Sequence, residues 1–134
     1  MISPKDVITL RVPYPDTVSD LAKRAHMYIC VGASEPSCEL VKCQRFKPYH
    51  LVSGAAPVRR IVEQPDKSRN PFRHPTVIDL DKLFVVTRPL LSNALKTAQG
   101  VNDDLFMEIK AKIIGSIARV ALTDAELKAV NNRL

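Results

Sequence analysis

The stretch Thr76-Val77-Ile78-Asp79-Leu80-Asp81-Lys82-Leu83-Phe84-Val85-Val86 decides how this chain is read. Branched and aromatic strand formers run on either side of Asp81-Lys82, so the spacing predicts one bent strand or two short ones, closed off by Pro89. After a polar loop, Asn102 is a suitable helix N-cap, and Asp103 and Asp104 complement the positive end of a helix dipole. Leu105, Ile109, Ile113, Ile117 and Val120 then fall on one helical face, which predicts a helix laid over a sheet. Thr123-Asp124-Ala125-Glu126 forms a capping box for a short terminal helix, with Leu127 and Val130 docking it on the surface rather than joining the core. Together these parts describe a small β-barrel closed by a C-terminal helix.

Working towards the N-terminus, Lys47 to Pro75 carries prolines, basic residues and only a short apolar patch at Val58, Ile61 and Val62. A segment this long without regular structure is uncommon in a compact domain unless it serves function, so a functional loop with a short strand inside it is expected. Glu39 to Phe46 alternates polar and apolar residues as a half-buried strand does, with Lys42 and Gln44 on its polar face. Ala25 to Gly32 is a second strand pattern, and Asp6 to Val12, stopped by Pro13 and Pro15, is a first. These two are expected to pair antiparallel across a polar, turn-prone loop from Asp16 to Arg24.

The chain has 134 residues, which fits a single domain spanning 1–134 with its long basic loop at about 47–75. Its apolar fraction of 46% and mean hydropathy of −0.06 are ordinary for a soluble protein, and no run approaches the length of a membrane span. The start, Met1-Ile2-Ser3-Pro4-Lys5-Asp6, lacks a secretory signal, so a cytoplasmic location is expected. Three cysteines, Cys30, Cys38 and Cys43, lack close metal-ligand spacing and read as reduced thiols. No Walker loop, dinucleotide fingerprint or zinc signature occurs, so nucleotide hydrolysis and zinc catalysis have no motif support, and no cofactor is expected. Twenty basic residues against 14 acidic ones give a formal charge of +6 and an isoelectric point near 9.4, which favours a polyanionic partner. Arg59, Arg60, Lys67, Arg69, Arg73 and His74 gather in the loop, which reads as a mobile strand-steering arm.

Four stretches in this order carry a family likeness. Asp6-Val7-Ile8-Thr9-Leu10 leads to Lys23-Arg24-Ala25-His26, then Thr76 to Leu83, then Val101-Asn102-Asp103-Asp104-Leu105-Phe106-Met107-Glu108-Ile109. The chain thereby resembles the PemK/MazF-like family, the growth-inhibiting toxins of type II toxin–antitoxin modules, over roughly half of its length. Ala25 stands where the family has a proline, and Gln44-Arg45 where it has a Thr-Ser pair. The resemblance implies an SH3-like small barrel with C-terminal helices, a homodimer, a cognate antitoxin, and metal-independent cleavage of single-stranded RNA.

Such cleavage needs a base at the ribose 2′-OH, a cation on the phosphorane and an acid for the leaving oxygen. Arg24 matches the family's Lys-Arg turn, and a guanidinium suits phosphate oxygens. His26, two residues on, could share the proton transfer. Asp81 aligns with an Asp used near the scissile site in some relatives. Lys23, Lys42, Gln44, Arg45, Arg73 and His74 are the candidate RNA contacts, with Phe46, Tyr49 and Phe72 placed for base stacking. Each has a plain alternative: a solvated turn arginine, a structural strand histidine, a turn aspartate, a wet strand face. Two other functions stay open. One is a non-catalytic SH3-like module that binds nucleic acid or protein. The other is a CcdB-like binding toxin, disfavoured because the chain has no tryptophan and ends Asn131-Asn132-Arg133-Leu134.

Overall fold

The computed structural model describes residues 1–134 and shows a mainly β protein. The strands are β1 (Val7–Leu10), β2 (His26–Ser34), β3 (Ser37–Arg45), β4 (Arg60–Glu63), β5 (Thr76–Asp79), β6 (Lys82–Thr87) and β7 (Ala118–Ala121), and the helices are α1 (Asp20–Lys23), α2 (Asp103–Lys112) and α3 (Asp124–Val130). β3 is the centre of the sheet. One of its edges pairs with β2, which carries β1 beyond it. Its other edge is shared end to end, β6 along Ser37–Leu40 and β5 along Cys43–Arg45. β5 and β6 are therefore a single run broken at Leu80-Asp81. Asp81 holds the break open by accepting hydrogen bonds from the Val58 and Arg59 amides, 2.8 Å each. β4 adds antiparallel to β5, and β7 adds parallel to β6. The ladder is open: β1, β4 and β7 each pair on one side only.

Alternation along the strands fills two cores, one on each face of the sheet. Ile8, Leu10, Tyr28, Cys30, Cys38, Leu40 and Phe84 point to the face covered by the N-terminus and α3. Val7, Ile29, Val31, Val41, Cys43, Ile78 and Leu83 point to the face covered by α2 through Leu105 and Ile109. No helix is long and apolar enough to cross a membrane.

Three expectations change. The helix begun at Asn102 stops at Lys112, and Val120 belongs to β7. The β-branched pair Ile113-Ile114 followed by Gly115 ends the helical run, and the chain then gains backbone bonds by lying alongside β6. Leu127 is fully buried in the first core, so α3 is a core element. The basic segment is a built loop rather than a mobile arm. Buried Asn70 accepts from the Phe72 amide and donates to Glu63 and to the Gln64 carbonyl, while Arg69 is held by Glu63 and Glu108.

Candidate nucleic-acid interface

Antiparallel pairing brings three chain ends to one rim of the sheet. β2 starts where β3 ends, and β3 ends where β5 starts, because Met27 lies opposite Cys43 and Arg45 opposite Thr76. The residues at these ends are His26, Gln44, Arg45 and, just before β5, Arg73 and His74. Two open depressions, of about 240 and 580 Å³, share His26, Gln44 and Arg45 as a common wall. The smaller continues to Arg73 and His74, and the larger to Arg24, Asp20, Lys47 and Tyr49. Side by side along this rim the two depressions carry four basic side chains, Arg24, Arg45, Lys47 and Arg73, and a single carboxylate, Asp20; together they are the trough.

Asp20 opens α1, whose N-cap Ser19 accepts from the Ala22 amide. One helical turn later Arg24 forks onto it, Nε to Oδ1 at 2.8 Å and Nη2 to Oδ2 at 3.1 Å. The hydrogen bond from Arg24 holds the Asp20 carboxyl below its usual range against the cost of desolvation, with the charges of Arg24, His26 and Lys47 adding to it. His26 Nδ1 lies 2.9 Å from the Arg24 carbonyl oxygen, which can only accept, so Nδ1 carries the ring proton and Nε2 keeps its lone pair. Asp20 Oδ2 stands 3.5 Å from that Nε2, placed to compensate positive charge once the nitrogen takes up a proton. Arg24, His26 and Asp20 thus form a linked unit with a base-competent nitrogen at a groove wall.

A second unit sets Gln44. The Lys47 amide donates to Nδ1 of buried His50 at 2.9 Å, so Nε2 of that ring bears the hydrogen. The Gln44 nitrogen is placed 2.7 Å from that Nε2 and 3.1 Å from the Tyr49 hydroxyl. With the ring hydrogen on Nε2, the amide fits only when turned over, its oxygen accepting from both. Burial holds His50 below the ordinary imidazole range, offset by the bond to Lys47, while the charges of Arg60, Lys42 and Lys47 lower it further. The Tyr49 ring, 52% exposed, lies over His50 at 4.1 Å between centroids and offers an aromatic face beside the trough.

Arg24, His26, Gln44, Arg45, Arg73 and His74 therefore line the two adjoining depressions, with His26, Gln44 and Arg45 common to both. Three of the positions singled out in the sequence do not. Asp81 is spent on the Val58 and Arg59 amides, and it lines a separate depression with Ser116 and Ala118. A catalytic role beside Arg24 is not what this position supports, because a β5 strand's length separates it from the trough. Lys42 turns inward as an ion pair with Asp79, 3.5 Å away and only 3% exposed, a carboxylate it shares with Lys82. An RNA contact from Lys42 is corrected accordingly: a lone buried Asp79 would be costly, so both lysines are drawn to it. Lys23 is exposed at the end of α1 but outside the cleft. Phe72 belongs largely to the core, at 7% exposure, while half-buried Phe46 and exposed Tyr49 both line the larger depression.

Asp20, Lys47 and His50 went unread as site residues, and Tyr49 was read only for stacking. The signal for Asp20 was present in Ser19-Asp20 with Arg24 four residues on, a cap and an ion pair at helical spacing. Tyr49 and His50 act through Gln44, a link no local pattern encodes. No protein family, curated protein or solved structure matches this chain.

Proposed function

We propose that the protein binds single-stranded RNA in this trough and cleaves it by metal-independent transfer to the ribose 2′-OH, as the toxin of a toxin–antitoxin module. The observation that carries this reading is the placing of Arg24 and His74 in two adjoining depressions that share His26, Gln44 and Arg45 and whose sole carboxylate is neutralised. His26 Nε2 is the base for the 2′-OH, and Asp20 offsets the imidazolium it becomes. Arg45 and Arg24 face the charge that builds on phosphorus, Arg24 by exchanging one arm of its fork from Asp20 to phosphate. His74, on the far wall, protonates the departing 5′ oxygen. Tyr49 stacks an unpaired base beside the scissile step.

The resemblance to PemK/MazF-like toxins supports the same reading, and with it a homodimer, a strongly curled SH3-like sheet and an antitoxin whose acidic segment covers the trough. A second reading has its own observation. Arg24 is already satisfied by Asp20 at both ends of its fork, which suits a non-catalytic RNA-binding module.

Incubation with a long single-stranded RNA in EDTA, followed by mapping of the ends, separates the two. Discrete cuts leaving 2′,3′-cyclic phosphate are expected, with His26→Ala reducing the rate by about 10² or more. Asp20→Asn should cut more slowly while binding RNA at least as tightly, since it removes a negative charge from the trough. Intact RNA that still shifts on a gel would establish the binding module and overturn the nuclease.

A further inference from the structure

β2 and β3 form a hairpin whose register slips by one residue. Cys30 lies opposite Leu40, yet Gly32 lies opposite Glu39, so Val31 is the extra residue of a β-bulge. Bulges sharpen the local twist. Here the effect is to lean Cys30 towards Cys38, which is paired with Ala33, and the two Sγ atoms stand 3.0 Å apart. Both thiols are free and fully buried in the same core as Tyr28, Leu40 and Phe84. Nothing in the packing of this core requires sulfur at both positions, and none of the site chemistry uses it.

We propose that Cys30 and Cys38 form a two-electron oxidation site, converted by a hydroperoxide into a cross-strand disulfide. Cys38 is the attacking sulfur. The hydrogen bond from Cys30 holds its thiol below the ordinary range against the cost of burial, and the Arg88 guanidinium helps, while the same bond and burial push Cys30 up. Cys38 is the second residue of β3, next to the Glu35-Pro36 turn, so the hairpin tip need open only locally to admit a molecule as small as hydrogen peroxide. The Cys38 thiolate attacks one peroxide oxygen and the O–O bond breaks. Hydroxide leaves, takes a proton to become water, and Cys38 is left as a sulfenic acid. The Cys30 sulfur then attacks Cys38 Sγ, the S–O bond breaks, and the departing oxygen leaves as water with the Cys30 proton. Two thiols and one peroxide give one disulfide and two waters, the protein losing two electrons. The bond staples the hairpin whose opposite end carries His26, Gln44 and Arg45, and the proposal is independent of the RNA reading.

Cys43 is the internal control, buried on the other face of the sheet with no thiol in contact with it. The folded protein is treated with hydrogen peroxide, quenched with catalase, denatured, alkylated with iodoacetamide and digested for mass spectrometry. The expected result is a peptide pair crosslinked through Cys30 and Cys38, alkylation at Cys43 alone, and a melting temperature raised by several degrees that returns on reduction with dithiothreitol. In the Cys30→Ala variant the same treatment should leave a dimedone-reactive sulfenic acid at Cys38, and in Cys38→Ala none at Cys30. Alkylation of all three cysteines, a crosslink that includes Cys43, or oxidation of Cys38 to the sulfinic acid in the unmutated protein would each overturn the proposal.

Discussion

His50 has no exposed surface, yet it keeps a titratable ring, and both nitrogens are engaged in the form that holds a single proton. Protonation would set an N–H against the Lys47 amide and place charge beside Arg60, Lys42 and Lys47. The folded pKa lies below that of the free imidazole, so as pH falls the unfolded chain takes up the proton first. Stability from this residue is therefore intact above about pH 6.5 and is lost as pH drops below that value, before the carboxylates titrate near 4. The melting temperature should fall between about pH 7.5 and about pH 5.5 in the natural protein, bracketing that imidazole value. It should fall less in His50→Asn, whose side-chain oxygen can still accept the Lys47 amide. Equal slopes for the two proteins would remove His50 as the cause. At this scale the sequence made Arg24, His26, Arg45 and His74 legible, because their chemistry belongs to the residue type. It did not make Lys42 or Asp81 legible, because their roles are set by Asp79 and by the 58–59 amides, which are remote in sequence.

Among the elements, α3 shows how a helix short enough to be marginal alone becomes part of the core. Thr123 and Glu126 cap it reciprocally, and Asn131 at its end donates to and accepts from the backbone of Arg11 beside β1. Leu127 supplies the packing, touching the core that holds Ile8, Leu10 and Phe84. Leu127→Ala should cost about 2–5 kcal/mol in urea unfolding, as truncations of fully buried leucines do. Lys128→Ala, one residue on and exposed, should stay within about 0.5 kcal/mol. A loss at position 127 no larger than that at 128 would mean that α3 frays from the sheet in solution. The capping box was plain in the sequence; the burial was not, since a seven-residue helix with only two large apolar residues has too little periodicity to declare a face.

Across the whole molecule, positive charge without an acidic partner is spread over the surface, as at Arg59, Lys67 and Lys112, and a share of it gathers at the trough. Arg60 donates to the His50 carbonyl, and Arg69, Arg88, Arg119 and Lys82 are all paired with carboxylates. Arg45, Lys47 and Arg73 have no acidic partner and all border the trough. If single-stranded RNA lies there, three to four phosphate contacts should give a slope of log K against log salt of about −2 to −3. Arg45→Ala should make that slope shallower by about 0.7. Fluorescence anisotropy of a labelled oligoribonucleotide over a salt series measures both, and a slope near zero would exclude phosphate binding.

The sequence by itself determined the elements whose signals are local: alternation in β1, β2 and β3, the broken run of β5 and β6, the caps at Asn102 and Thr123, and an excess of basic charge. These depend on backbone preferences and neighbours a few residues away, and so they are written in short windows. Tertiary structure alone decided that the run after Gly115 becomes β7, that Lys42 faces Asp79, that the ladder stays open at β1, β4 and β7, and that His26, Gln44, Arg45 and His74 share one rim. Each of these follows from strand register. Pairing brings together residues dozens of positions apart, and the free energy of the contact belongs to the pair rather than to either stretch read alone.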